Sequence, residues 1–128
     1  MANHPELDQR GLALHRLVAE KIRAEPARFE RARATLARFR RIVDVRSQPY
    51  MRAWQQVFEE GIEAVLALAT EDSERGAAMR QSSPFAGVLT DEERSAFFRQ
   101  WFEEHPRQAE PDRPQQVIEP ATGPGGAR

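Results

Sequence analysis

The 128-residue sequence contains no cysteine. Disulfides, thiolate metal sites and cysteine nucleophiles are therefore excluded together. Histidine is scarce too. His4, His15 and His105 lie far apart, and none has a second histidine at helical spacing. Neither a metal site nor a cofactor is expected. No run approaches the roughly 18 apolar residues that a transmembrane helix needs. The first ten residues lack the basic start and apolar stretch of a secretory signal. The expectation is a cytoplasmic protein with no membrane partner. There is no P-loop, no G-x-G-x-x-G, no G-x-S-x-G and no H-E-x-x-H.

What is present is ordinary for a small globular domain: 40% hydrophobic and 30% charged residues. The net charge is only −1, but it is unevenly placed. Residues 1–46 carry eleven Lys/Arg against six Asp/Glu, whereas residues 47–104 carry five against eleven. Lysine occurs once, at Lys21, so arginine supplies nearly all the positive charge. A layout of this kind either steers a charged partner or draws the two halves of the chain together.

The apolar residues recur with helical rhythm, and no period-2 strand pattern appears. An all-α fold is expected, with three main helices, a short helix and a C-terminal helix. Residues 1–11 read as a flexible N-terminus, 12–104 as the helical domain and 105–128 as a disordered tail. The first helix carries Leu14, Leu17, Val18 and Ile22 on one face. Pro26 closes it and suits the first turn of the second. That second segment runs to about Val43, with Phe29, Ala32, Leu36, Phe39 and Val43 on one stripe. Arg28, Arg31, Arg33, Arg38, Arg40 and Arg41 occupy the other faces. The third segment spans Pro49 to about Thr70. Tyr50, Trp54, Val57, Phe58, Ile62, Val65, Leu66 and Ala69 make the broadest apolar face, so it should centre the core. Gly61 in its middle is read as a close-packing position.

Asp72 and Ser73 are candidate caps for a short helix over Glu74 to Arg80. Residues 81–89 form an ordered loop with Phe85 and Leu89 turned inward. Thr90 and Glu93 make a T-x-x-E capping box for the last helix. There Phe97 with Trp101, and Phe98 with Phe102, are i, i+4 pairs. The five prolines between Pro106 and Pro124 and the glycine-rich end leave too little apolar surface to offset ordering entropy.

Candidate chemistry is thin. Asp91, Glu92 and Glu93 occupy a helix first turn, where the macrodipole favours anions. Glu59 and Glu63 are i, i+4 on a solvated face. His15 lies beside the apolar stripe of the first helix. Ser82 and Ser83 have no basic neighbour in sequence to activate them. Catalysis is therefore not expected. The arginine-rich second helix could neutralise phosphates, with Arg38, Arg40 and Arg41 as nucleic-acid contacts. Yet no helix-turn-helix pair is evident.

Several stretches together resemble a group of small bacterial helical proteins encoded beside toxin genes. They are L-H-R-L-V-A-E-K-I (14–22), A-R-A-T-L-A-R-F (32–39), M-R-A-W (51–54) and S-E-R-G-A-A-M-R-Q-S-S-P-F-A-G-V-L-T (73–90), followed by Glu93-Arg94. The resemblance covers about residues 12–102. It implies an antitoxin of a type II toxin–antitoxin pair that neutralises a cognate protein toxin by stoichiometric contact, a zeta-like kinase being one candidate. Interfaces draw much of their energy from Trp, Tyr and Arg. His15, Arg16, Arg80, Ser83, Phe85, Phe98 and Trp101 are accordingly the partner-binding candidates. A DNA-binding regulator using the second helix is the alternative, and a self-associating helical scaffold is a third.

Overall fold

A computed structural model of the chain describes residues 5–42 and 45–106. The described residues are all-α: six α-helices, one short 3-10 turn and no strand. In order they are α1 (Pro5–Ala24), α2 (Arg28–Ile42), the 3-10 turn Val45–Ser47, α3 (Gln48–Glu60), α4 (Ile62–Ala69), α5 (Glu74–Gln81) and α6 (Asp91–Glu104). No helix among the described residues is long and apolar enough to cross a membrane. The chain divides into a unit ending at Glu93 and a second beginning at Arg94.

Two boundaries differ from expectation. The first helix starts earlier than residue 12, because α1 already begins at Pro5. Proline is well suited to a first helical position, where its missing N–H removes no helical bond. One turn on, Asp8 is held by an ion pair to Arg80 at 2.9 Å. The third segment is not one helix either. It breaks at Gly61, whose φ of 113° and ψ of 172° lie where side chains are rarely tolerated. A Cβ there would meet nothing within 4 Å, so Gly61 serves backbone conformation rather than close packing. The break separates α3 from α4, and each buries residues of its own, Met51, Trp54 and Phe58 on α3 and Val65, Leu66, Leu68 and Ala69 on α4. The expected tail falls outside the described residues beyond Pro106, as does Val43.

The first unit closes around Phe29, Trp54, Phe58, Val65, Leu66, Phe85 and Val88, all buried. Phe29 stacks on Phe58 at 5.0 Å, and Trp54 meets Phe85 edge-on at 5.5 Å. Aromatic pairs in such geometries add about 0.5–1.5 kcal/mol each beyond area burial. The Trp54 indole N–H, which needs a partner once buried, donates to the Met79 carbonyl at 3.1 Å. Tyr50 was expected in this core but is 41% exposed, at the outer start of α3.

The loop after α5 is ordered as expected. Pro84, Phe85 and Val88 are buried within it, and Leu89 packs against the core. Thr35 of α2 fastens the loop by donating its hydroxyl to the Ala86 carbonyl at 3.0 Å. The capping box forms reciprocally. The Thr90 N–H donates to Glu93 at 2.9 Å, and the Glu93 N–H donates to the Thr90 hydroxyl at 3.0 Å.

The second unit holds the rest of α6, which buries none of its residues. Its aromatics form ladders, Phe97 on Trp101 at 6.0 Å and Phe98 on Phe102 at 6.1 Å. Trp101 in turn stacks on His105 at 3.7 Å.

Two helical glycines give a prediction of opposite signs. A Cβ on Gly76 would sit 2.1 Å from the Glu71 carbonyl oxygen, whereas one on Gly11 would meet nothing within 4 Å. Gly11→Ala should therefore stabilise by about 0.5–1 kcal/mol through helix propensity. Gly76→Ala should destabilise by roughly 1–3 kcal/mol through overpacking against backbone. Urea unfolding midpoints of the two variants test this, and a Gly76→Ala midpoint at or above wild type would refute the close approach.

Candidate functional site

Ser73, Gly76, Arg80, Ser83 and Phe85 of the S-E-R-G-A-A-M-R-Q-S-S-P-F stretch gather on the inner side of α5 and the loop after it. Ser73, extended at the start of α5, accepts the Gly76 N–H at 3.0 Å and caps the helix. Gly76 lies against the turn that follows α4 because it has no Cβ. Its bareness brings α5 close enough for Arg80 to reach that turn. Arg80 is 7% exposed. One guanidinium nitrogen donates to the carbonyls of Ala69 at 3.1 Å and Glu71 at 2.8 Å; the other meets the Asp8 carboxylate at 2.9 Å. Three elements are thereby joined through one planar fork. Lysine, a point charge, could not reproduce that geometry.

His15 sits beside this cluster and is 6% exposed. Its Nδ1 is 2.7 Å from the Gly11 carbonyl and its Nε2 is 2.8 Å from the Ser83 hydroxyl. A carbonyl can only accept, so Nδ1 carries the proton. Nε2 is then the acceptor and Ser83 donates to it. The Ser83 oxygen in turn accepts the Phe85 N–H at 3.2 Å. His15 also meets the Phe85 ring edge-on at 5.6 Å. Ser83 thus has a basic partner after all, contributed by α1 from 68 positions away. The arrangement matches the outline of a nucleophile, a base and an orienting group. Its electrostatics do not suit that chemistry. Burial, with the Arg80 charge adding to it against the opposing Gly11 bond, lowers the His15 pKa from 6.5 to about 4. A base that weak takes a proton poorly near neutrality. The cluster instead fixes the loop to α1.

His15, Arg80, Ser83 and Phe85 are therefore brought together, but inside the fold, with their side-chain polar groups, the Arg80 Nε excepted, engaged by the chain itself. Arg16 is separate and exposed. It lines an open groove of about 660 Å³ with Leu17, Glu20 and Arg23 of α1 and with Thr70. Phe98 and Trp101 belong to the second unit. No group of three His, Asp or Glu able to hold a metal occurs among the described residues.

Arg28 also departs from its expected place on a solvated face. Its guanidinium donates to Glu93 at 2.7 and 2.9 Å, to the Val88 carbonyl at 2.9 Å and to Glu25 at 2.9 Å. That pairing, with the Thr90 N–H, holds the Glu93 carboxyl well below its ordinary range. The sequence offered no signal for Asp8, Arg28 or Thr35, whose partners lie 51 to 72 positions away. Ser73 and Gly76 were visible only as a cap and a helical glycine.

A second locus lies on the surface. Among the described residues the exposed large hydrophobics are Ile42, 68% exposed, Val45, 87%, and Tyr50, 41%. All three fall where α2 ends and α3 begins. Arg38, Arg40 and Arg41 are exposed on the same end of α2. The Gln48 side-chain amide donates to the Arg40 carbonyl at 3.1 Å and ties the start of α3 to the end of α2.

Comparison of the chain with protein-family models, curated proteins and solved structures finds no match.

The buried histidine gives a pH prediction. His15 is neutral in the fold and titrates near 4, while the unfolded chain titrates near 6.5. Between those values the unfolded state binds more protons, so stability rises with pH. The contribution is fully present above about pH 6.5 and is lost as pH falls toward 4; it amounts to about 3 kcal/mol. Glu93, whose pKa is lowered, adds a further loss only as pH falls below its ordinary 4.5. His15→Gln cannot charge and should flatten the profile between pH 6.5 and 4.5. An unchanged slope in that variant, by urea denaturation across the range, would mean that His15 is not buried in its neutral form.

Proposed function

We propose that this protein is a non-enzymatic binding partner of the antitoxin type, acting in the cytoplasm by covering a cognate protein toxin in a stoichiometric complex. The observation that supports this reading is the occurrence of exposed apolar side chains in one short stretch of the chain. Ile42, Val45 and Tyr50 are spread over nine positions of the chain, and no other large hydrophobic among the described residues is comparably exposed. Single exposed apolar residues are normal on a surface, and their recurrence where one helix ends and the next begins makes this stretch the candidate contact. The resemblance of residues 12–102 to antitoxin-like proteins supports the same reading and supplies the zeta-like kinase as a candidate toxin. His15, Arg80, Ser83 and Phe85 then serve as the frame that keeps this surface in shape, rather than as contacts.

A DNA-binding regulator is the second reading. It is favoured by the exposure of Arg38, Arg40 and Arg41 at one helix end.

Co-expression with the product of the adjacent gene tests the proposal. That product should arrest growth alone, be harmless together with this protein, and co-purify with it at one-to-one stoichiometry. Separate elution of the two proteins without growth rescue would sink the antitoxin reading. Salt-sensitive retention on operator DNA, lost in Arg38→Glu/Arg40→Glu/Arg41→Glu, would transfer it to the regulator.

A further inference from the structure

The guanidinium of Arg80 is fixed on one side and half taken on the other. Its Nη1 donates to the carbonyls of Ala69 and Glu71, which sets the plane of the group without help from α1. Its Nη2 donates to one oxygen of the Asp8 carboxylate at 2.9 Å. The N–H of Nε points the same way as one N–H of Nη2, and that edge matches the two oxygens of a carboxylate. Yet Nε has no hydrogen-bond partner, although it is buried and the whole residue is 7% exposed. Asp8 fills half of a two-point site. The segment that brings Asp8 lies shallow. No residue from Asp8 to Gly11 is buried, and Leu12 is the first that is. Gly11 stands at that border, where a Cβ would meet nothing within 4 Å and no positive φ requires glycine. Glycine inside a helix weakens it relative to alanine, while at an N-cap it is well accepted. The helix can restart at Gly11 once the turns before it let go.

We infer that residues 5–10 form a strap over Arg80, which lifts as a unit about Gly11 and leaves the Nε–Nη2 edge to a carboxylate from another molecule. Lifting changes the partner of Arg80 and not its position, because the carbonyls of Ala69 and Glu71 keep hold of Nη1. With the strap down, Arg80 belongs to the frame described above. With it lifted, one carboxylate replaces another, so the guanidinium is not left buried without a counter-charge. The incoming group also gains the bond to Nε that Asp8 does not make. A small carboxylic acid and a carboxylate carried by a protein present the same two oxygens. Neither the strap nor the edge depends on the partner being a toxin.

Amide hydrogen exchange of the full chain, followed residue by residue by NMR, tests the strap. Helical N–H groups bond four residues back, so a helix from Pro5 that restarts at Gly11 frees the N–H groups of residues 9–14 together and keeps that of His15. Residues 9–14 should share one opening constant, with His15 and the residues after it better protected. Asp8→Asn should raise that constant about tenfold and Gly11→Ala should lower it about threefold. Constants that fall off one residue at a time from the helix start, or exchange of residues 9–14 only together with the core, overturn the inference. The Nε–H signal of Arg80 tests the edge. Acetate, compared with chloride at equal ionic strength, should move it saturably in Asp8→Asn, while the Nε–H signal of Arg28 stays in place. The wild type should need at least about tenfold more acetate, because its site is open only while the strap is lifted. Equal shifts in the two proteins, or a shift in neither, overturn the inference; a shift in neither means that a buried water answers Nε. The adjacent gene's product, added to the wild type, separates the two sources. The same shift with that product assigns a protein carboxylate, and a shift with acetate alone assigns a small acid. Both uphold the strap, and the growth rescue described above decides the antitoxin reading independently.

Discussion

A buried guanidinium organises the first unit. Taking a charge out of water costs several kcal/mol unless the surroundings answer it with hydrogen bonds and a counter-charge. Arg80 is answered from two directions, by carbonyls at the end of α4 and by a carboxylate near the start of α1. The answer is nearly complete. Its Nε is the one buried side-chain polar atom among the described residues without a hydrogen-bond partner. Other features follow from this placement. Gly76 must lack a side chain so that α5 can lie close enough to the Glu71 carbonyl. The Asp8 ion pair accounts for helical order reaching back to Pro5. His15, beside a buried positive charge, has a reason beyond its own burial to stay neutral. Neutrality leaves its Nε2 free to accept from Ser83, which holds the loop carrying Phe85 into the core.

The helical content was legible in the sequence because it follows from local rules: apolar spacing, the T-x-x-E box, the polar break before Ser73. The core was legible for the same reason, with Trp54, Phe58, Val65 and Leu66 all on the expected face. Two misreadings share a cause. Tyr50 was assigned to the core by extending the period of α3 to its first turn, where the neighbours run out. Gly61 was taken as a packing position by extending α3 through a residue whose φ is positive. Periodicity says which residues share a face; it does not say where the face ends.

The internal clamp illustrates a different limit. His15, Arg80, Ser83 and Phe85 stood out in sequence and were taken for partner contacts. They do form one cluster, but the cluster faces inward. Chemistry-bearing residues in a patterned stretch suggest a site, and the same types are needed to satisfy polar groups in a small interior. Only the partners decide between the two roles, and those partners, Asp8 and Gly11 on α1, come from the other end of the unit.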